Sequence, residues 1–117
     1  MTGPTDWAEH SSATLRRRRA SLLRRLPSLN AVLRGSLIER YKRCGKPGCK
    51  CADGPGHGPK YYLSVSIPGA RPVMEYVPLD YHDEVVEFLE NHQQTHRIIL
   101  EICAINLELL HRREKLG

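Results

Sequence analysis

The first pattern of apolar positions along the chain is helical. Within residues 13–26, leucines recur at helical spacing among arginines, and Pro27 follows directly. Because a proline cannot continue a helix, the pattern predicts a short basic amphipathic helix that stops there. The preceding residues 1–12 are polar and lack periodicity, which predicts a disordered tail.

The middle of the chain shows the shorter period of strands. Residues 35–42 alternate weakly with a period of two, which predicts one strand. Residues 61–67 and 73–77 are β-branched and aromatic, and the turn-forming pair Pro68-Gly69 lies between them. This arrangement predicts a β-hairpin.

The last third of the chain is free of helix breakers. No proline or glycine occurs from Tyr81 to Lys115, and Asp80 is a suitable N-cap residue. Two structures fit this stretch: one long helix, or a helical hairpin that turns near Asn91 and His92.

A heptad assignment of this helix predicts contacts with a partner. The a and d positions fall at Val85, Phe88, His92, Thr95, Ile99, Ile102, Asn106 and Leu109. Residues 98–110 are apolar most of the way round, so they must be buried against something. We expect self-association through residues 98–110, giving a homodimer, with packing on the hairpin as the alternative. Cys103 is expected to be a small buried hydrophobic residue.

These elements together predict an α+β fold. It consists of a small Cys/His metal knot with a hairpin or three-stranded antiparallel sheet, followed by the long C-terminal helix or helical hairpin. The predicted division is residues 1–33, a disordered tail plus the basic segment, and residues 34–117, the domain with knot, hairpin and helix.

Length and composition are those of one soluble domain. The chain has 117 residues, of which 40% are hydrophobic and 26% charged. No apolar run reaches the ~20 residues that cross a bilayer, and the N-terminus lacks the apolar core of a secretory signal. We therefore expect a cytoplasmic protein with reduced cysteines and no membrane contact. A mitochondrial transit peptide is the alternative for the Arg/Ser-rich start, against which Asp6 and Glu9 argue.

Positive charge is concentrated in the first half. Residues 1–60 hold 13 basic and 4 acidic residues, whereas residues 61–117 hold 5 basic and 9 acidic. This asymmetry predicts a basic surface for a polyanion, the alternative being a solvated charge run. The residues expected to contact the phosphates of a nucleic acid are Arg16, Arg17, Arg18, Arg19, Arg24, Arg25, Lys42, Arg43, Lys46 and Lys50.

Four metal-ligating side chains lie close together in sequence, with the spacing C-x4-C-x-C-x5-H. They are Cys44, Cys49, Cys51 and His57, separated by turn-forming glycines and prolines. Four Cys and His ligands are typical of a closed structural Zn²⁺ site, and metal binding supplies folding energy to a segment poor in apolar residues. We predict bound Zn²⁺; the alternatives are an iron–sulfur cluster, redox thiols and a metal-free loop.

Tyrosines accompany the basic residues on the predicted strands. Tyr41, Tyr61, Tyr62 and Tyr76 all fall there, next to the cysteine segment. Aromatic side chains interleaved with basic ones favour stacking on bases and pairing with phosphates. The alternative is that these tyrosines pack the core with their hydroxyl groups at its rim.

The chain resembles a family of small uncharacterised prokaryotic proteins often found near transposon genes. The resemblance rests on the CGKPGCKC run from Cys44, on the Gly-His-Gly-Pro run from Gly56 and on Tyr76-Val-Pro before a long helix. It covers about residues 34–110 and leaves the arginine-rich segment outside. It implies a small module of metal knot, hairpin and helix, and no activity.

No catalytic constellation is visible in the sequence. There is no nucleophile elbow and no glycine-rich phosphate loop, and four protein ligands leave a zinc ion no open position for water. We therefore predict a zinc-binding nucleic-acid accessory factor that is not an enzyme. The alternatives are an oligomerisation module with the helix as its working surface, and a small zinc-dependent nuclease or transferase.

Overall fold

The structure, a computed structural model, describes residues 4–42 and 57–117. Helix α1 spans Ser12–Arg24, strands β1, β2 and β3 span Ser36–Lys42, His57–Val65 and Val73–Val77, and helix α2 spans His82–His111. Short 3-10 helices precede α1 at Pro4–Glu9 and α2 at Leu79–Tyr81. A three-stranded antiparallel sheet followed by a long C-terminal helix confirms the predicted α+β class.

Helix α1 begins and ends where its sequence requires. Ser11 is the N-cap, and its hydroxyl accepts a hydrogen bond of 3.1 Å from the Thr14 N–H. At the other end the Arg25 N–H donates to the Leu22 carbonyl at 3.0 Å, and Pro27 prevents further helix. The basic amphipathic helix predicted for residues 13–26 is therefore confirmed.

The sheet has the order β1-β2-β3, with both pairs antiparallel. Strands β2 and β3 form the predicted hairpin around Gly69, whose φ of 77° suits a tight turn. Gly35, just before β1, has φ 142°, and a Cβ there would lie 2.6 Å from the Ser64 carbonyl oxygen. Only glycine allows β1 to approach β2 so closely.

Helix α2 is one continuous helix of 30 residues, about 45 Å long at 1.5 Å per residue. Asp83 and Glu84 occupy its first turn, where the helix dipole favours acidic side chains. The helix continues through Asn91 and His92, where the Thr95 hydroxyl donates to the Asn91 carbonyl at 2.8 Å. Of the two structures that fitted the sequence, the single helix is the one observed.

The chain forms two compact units with separate cores. One unit comprises residues 1–30 and 91–117, and the other residues 31–90, whereas the sequence suggested a division after residue 33. The core of the first unit consists of Trp7, Leu15, Leu22, Ile98, Ile105 and Leu109. The core of the second unit consists of Leu63, Val77, Val85 and Leu89.

The 3-10 helix Pro4–Glu9 takes part in the first core through Trp7, although residues 1–12 were predicted to be a disordered tail. Trp7, in the 3-10 helix, is only 8% exposed. Arg112 holds this segment: its Nη2 donates to the carbonyl oxygens of Trp7 at 3.0 Å and His10 at 2.7 Å. The same guanidinium contacts Glu108, with Nε 2.8 Å from Oε2. The partner that orders this segment is thus about 100 residues away in sequence, where no local pattern reveals it.

Candidate nucleic-acid interface

The cysteine segment connects two neighbouring strands. Cys44, Cys49 and Cys51 lie outside the described residues, as do the basic residues Arg43, Lys46 and Lys50. The two ends of the segment are described: Lys42 ends β1, His57 begins β2, and the two are Cα partners in the ladder. Both ends of the segment therefore start from the same end of the sheet.

Within the described ranges 4–42 and 57–117, no group of three or more His, Cys, Asp or Glu side chains is placed to hold a metal ion. This result includes His92 and His96, which are four residues apart on α2. Cys103 is exposed, so its predicted burial was wrong. Both sides of α2 are apolar around Cys103, and α1 covers only the side that carries Ile98 and Ile105.

Three of the arginines on α1 are engaged within the protein. Arg18 Nε lies 2.6 Å from Oε2 of Glu101 on α2, and this hydrogen bond raises the pKa of the Arg18 guanidinium above its usual value. Arg19 Nη1 donates to Asn106 Oδ1 at 2.6 Å. Arg16 Nη2 donates to the Lys115 carbonyl at 2.6 Å. These three guanidinium groups tie α1 to the C-terminal part of the chain.

The other three arginines point away from the core. Arg17, Arg24 and Arg25 are all exposed. Arg17 and Arg24 are seven residues apart and lie on the side of α1 away from Leu15 and Leu22, and Arg25 is the C-cap residue that follows. Within the described residues, Arg24 and Arg25 make no side-chain hydrogen bond or ion pair, and Arg17 contacts only the Thr14 hydroxyl, at 3.2 Å. We call Arg17, Arg24 and Arg25 the arginine stripe.

The sheet separates the four strand tyrosines into two pairs. Tyr61 belongs to the face that packs on Val85 and Leu89. Tyr41 shares that face with Glu39, to whose Oε1 its hydroxyl donates at 2.7 Å. This bond to a carboxylate raises the pKa of Tyr41 above its ordinary value.

The second pair lies on the opposite face of the sheet. Tyr62 and Tyr76 are cross-strand partners, with ring centroids 5.6 Å apart and ring planes at 65°. The Arg40 guanidinium carbon lies 5.8 Å from the centroid of Tyr62, and Lys60 is the cross-strand partner of Arg40. Since side chains alternate along a strand, all four lie on one side. We call Arg40, Lys60, Tyr62 and Tyr76 the tyrosine face.

Comparison with known proteins places the chain in a family. The family described as a domain of unknown function (DUF6788) matches residues 12–87, about two thirds of the chain. The chain belongs to the DUF6788 family. No curated protein and no solved structure matches it. Among the residues described, neither helix combines the length and the apolar character needed to cross a bilayer.

The DUF6788 match has different limits from the resemblance seen in the sequence. It begins at the start of α1, so the arginine-rich segment lies inside the family region rather than outside it. It ends at Glu87, six residues into α2, instead of near residue 110. The arginine stripe and the tyrosine face are both within the DUF6788 region, whereas the apolar residues 98–110 of α2 are beyond it.

Proposed function

We propose that the protein is a nucleic-acid-binding accessory factor, and not an enzyme, that contacts phosphates through the arginine stripe of α1. The observation that supports it is the division of the α1 arginines into two sets. Three of them bond to acceptors in the protein, whereas Arg17, Arg24 and the C-cap residue Arg25 remain exposed at a helix that contains no acidic residue.

The spacing of the arginine stripe allows contact with several phosphates of one nucleic-acid backbone. Arg17 and Arg24 are seven residues apart, about 10 Å along the helix axis, and Arg25 follows directly. Ala13 and Ala20 are also exposed on this side of α1, and the helix contains no acidic residue that would repel a phosphate backbone. Such contacts add affinity without reading sequence. Three of them contribute a slope of about −2.7 in log affinity against log salt, or about 40-fold between 50 and 200 mM.

The test is a salt series with a charge-matched control. Binding of a labelled 20-base-pair duplex is measured by fluorescence anisotropy between 50 and 200 mM salt. We expect Arg17→Gln/Arg24→Gln/Arg25→Gln to lower the salt slope by about 2.7. The control, in which Arg71, Arg97 and Arg113 are all replaced by Gln, removes the same charge from other exposed positions. Equal losses in both triple variants, or no binding by the wild type at 50 mM salt, contradict the proposal.

We also propose that Zn²⁺ is bound by Cys44, Cys49, Cys51 and His57, as a structural staple. The donor set suits a closed tetrahedral site. The ladder pairing of Lys42 with His57 supports it, because Lys42 is two residues before the first ligand in sequence and His57 is the last ligand. The bound ion would stabilise a segment that has little apolar surface of its own to bury.

Metal content tests the zinc proposal. We expect about one Zn²⁺ per chain in protein purified without a histidine tag, measured by mass spectrometry. Cys49→Ser and His57→Ala should lower this content, whereas Cys103→Ser, which changes the cysteine on α2, should retain it. Less than a tenth of an equivalent of metal in the wild type would exclude the site.

A second candidate function, self-association through α2, is favoured by an exposed apolar stripe. Ile99, Leu100, Leu107 and Leu110 are 46–60% exposed, and Cys103 lies exposed among them. Together they present about 400 Å², which is as large as the largest apolar patch of a typical monomer and about half of what each partner of a standard dimer buries. Ile99 and Leu107 each lie four residues from Cys103, so an antiparallel second copy meets the same side chains.

Light scattering tests this second candidate. We expect a dimer at 100 μM chain, and a monomer for Leu100→Glu/Leu107→Glu. Leu29→Glu is the control, because Leu29 is 67% exposed and lies outside α2. A monomeric wild type at 100 μM removes the basis for a homodimer.

A further inference from the structure

The tyrosine face exposes large apolar and aromatic side chains to solvent. Tyr76 is 49% exposed, and Met74 beside it on β3 is 45% exposed. Neither side chain belongs to a core cluster among the described residues. Tyr76 packs edge-to-face on Tyr62, but about half of its side chain and of the Met74 side chain remains exposed.

The charges on the same face are a second, independent observation. Arg40 and Lys60 are directly opposite each other in the ladder, and both are exposed. Like charges in such a cross-strand pair destabilise a sheet. Within the described residues no acidic side chain forms an ion pair with either, and the neighbouring Glu39 bonds to Tyr41 on the other face. An anion bound between Arg40 and Lys60 would relieve this repulsion.

The geometry of the two rings selects the kind of anion. The planes of Tyr62 and Tyr76 are inclined by 65°, so one flat base cannot stack on both rings. Each ring offers a platform to a separate base, and the two bases must be splayed apart. Bases in a duplex are stacked on their neighbours and show only their edges, whereas unpaired bases can turn onto aromatic rings.

We propose that the tyrosine face binds single-stranded nucleic acid, with successive bases stacked on Tyr62 and Tyr76 and the adjoining phosphates contacted by Arg40 and Lys60. This inference deepens the proposed function, on which it rests for the class of ligand. It assigns the ligand to a different surface from the arginine stripe. DNA and RNA share this chemistry, and both are used in the test.

The experiment compares short single strands with a duplex. Fluorescence anisotropy with labelled dT10 and rU10 measures single-strand binding, and a 20-base-pair duplex measures binding by the arginine stripe. We expect Tyr62→Leu and Tyr76→Leu each to weaken single-strand binding about 5- to 150-fold, the effect of losing one stacked base. Duplex binding should stay within twofold of the wild type.

Two further variants separate stacking from folding. Tyr76→Phe keeps the ring and should keep wild-type affinity for single strands, whereas Arg40→Gln/Lys60→Gln should lower the single-strand salt slope by about 1.4. Tyr81→Leu is the control, because Tyr81 is 57% exposed but lies outside the sheet. If a leucine variant loses its circular dichroism spectrum, the glutamine pair and Tyr76→Phe decide the question.

Each outcome has a distinct meaning. Loss of dT10 or rU10 binding in the tyrosine variants, with duplex binding retained, supports the inference. Single-strand binding that is unchanged in Tyr62→Leu and Tyr76→Leu, or equally weakened in Tyr81→Leu, overturns it while the arginine stripe stands. A wild type that binds neither strand form overturns both proposals.

Discussion

Replacing Arg112 by methionine should release the N-terminal segment from the core. The guanidinium donates to the carbonyl oxygens of Trp7, Ala8 and His10 at 3.0, 3.4 and 2.7 Å, and no other described side chain performs this role. Methionine keeps most of the aliphatic stem but removes every donor. Only the apolar packing of Trp7 would then oppose opening of the segment.

The magnitude follows from those bonds and their surroundings. The Arg112 side chain is 21% exposed, so its bonds to carbonyl oxygens are only partly replaced by water. Hydrogen bonds from a charged donor contribute about 1.5–3 kcal/mol. Two good bonds of this kind sum to about 3–6 kcal/mol, but bonds made by one guanidinium are not additive. We therefore expect local opening of the segment to become easier by about 2–4 kcal/mol, or about 30- to 900-fold.

Tryptophan fluorescence measures this opening, because Trp7 is the only tryptophan in the chain. We expect Arg112→Met to shift the emission to longer wavelength and to increase quenching by acrylamide. The control is Arg113→Gln, which removes the neighbouring charge from an exposed side chain and should leave the emission unchanged. Wild-type emission and quenching in Arg112→Met would refute the reasoning, since packing of Trp7 would then suffice.

Two further predictions concern the sheet. Gly35→Ala should destabilise the protein by about 3 kcal/mol or more in urea unfolding, because this position combines a φ of 142° with close contact to the Ser64 carbonyl. Gly69→Ala should cost only about 1 kcal/mol, because Gly69 has a φ of 77° but open space around it. Equal losses would contradict the close approach. Glu39→Gln should lower the raised pKa of Tyr41 towards its ordinary value. In a pH titration, the phenolate absorbance at 295 nm should then appear at lower pH than in the wild type. An unchanged titration would contradict this cause. Because folding raises that pKa, its stabilising effect is present below the ordinary tyrosine pKa and is lost as pH rises through the folded value.

Elements whose pattern is local could be predicted from the sequence. The stop at Pro27 and the hairpin around Pro68-Gly69 depend on residues a few positions apart, and both are found where expected. The continuous helix α2 follows from the absence of breakers. The zinc ligands and the nucleic-acid contacts stay predictions.

Features that depend on distant residues could not be predicted. The arginines of α1 look alike in sequence, and only the positions of Glu101 and Asn106 on α2 determine which ones are engaged. The exposure of Cys103 could not be predicted either, because α2 is apolar on both sides there and the sequence does not show which side α1 covers. The register of β2 with β1 and β3 likewise decides which tyrosines share a face.

Because α1 packs on the C-terminal part of α2, it cannot complete its core until the end of the chain has been synthesised. Arg18 and Glu101 are 83 residues apart, whereas all three strands are complete by Val77. At about 5–20 residues per second, a ribosome needs roughly 4–17 s to make the residues between them. During that time Leu15 and Leu22 lack the part of their core that α2 supplies, and the five arginines of α1 keep the helix solvated. The first α-helix to be made is thus packed only after the last α-helix has been made.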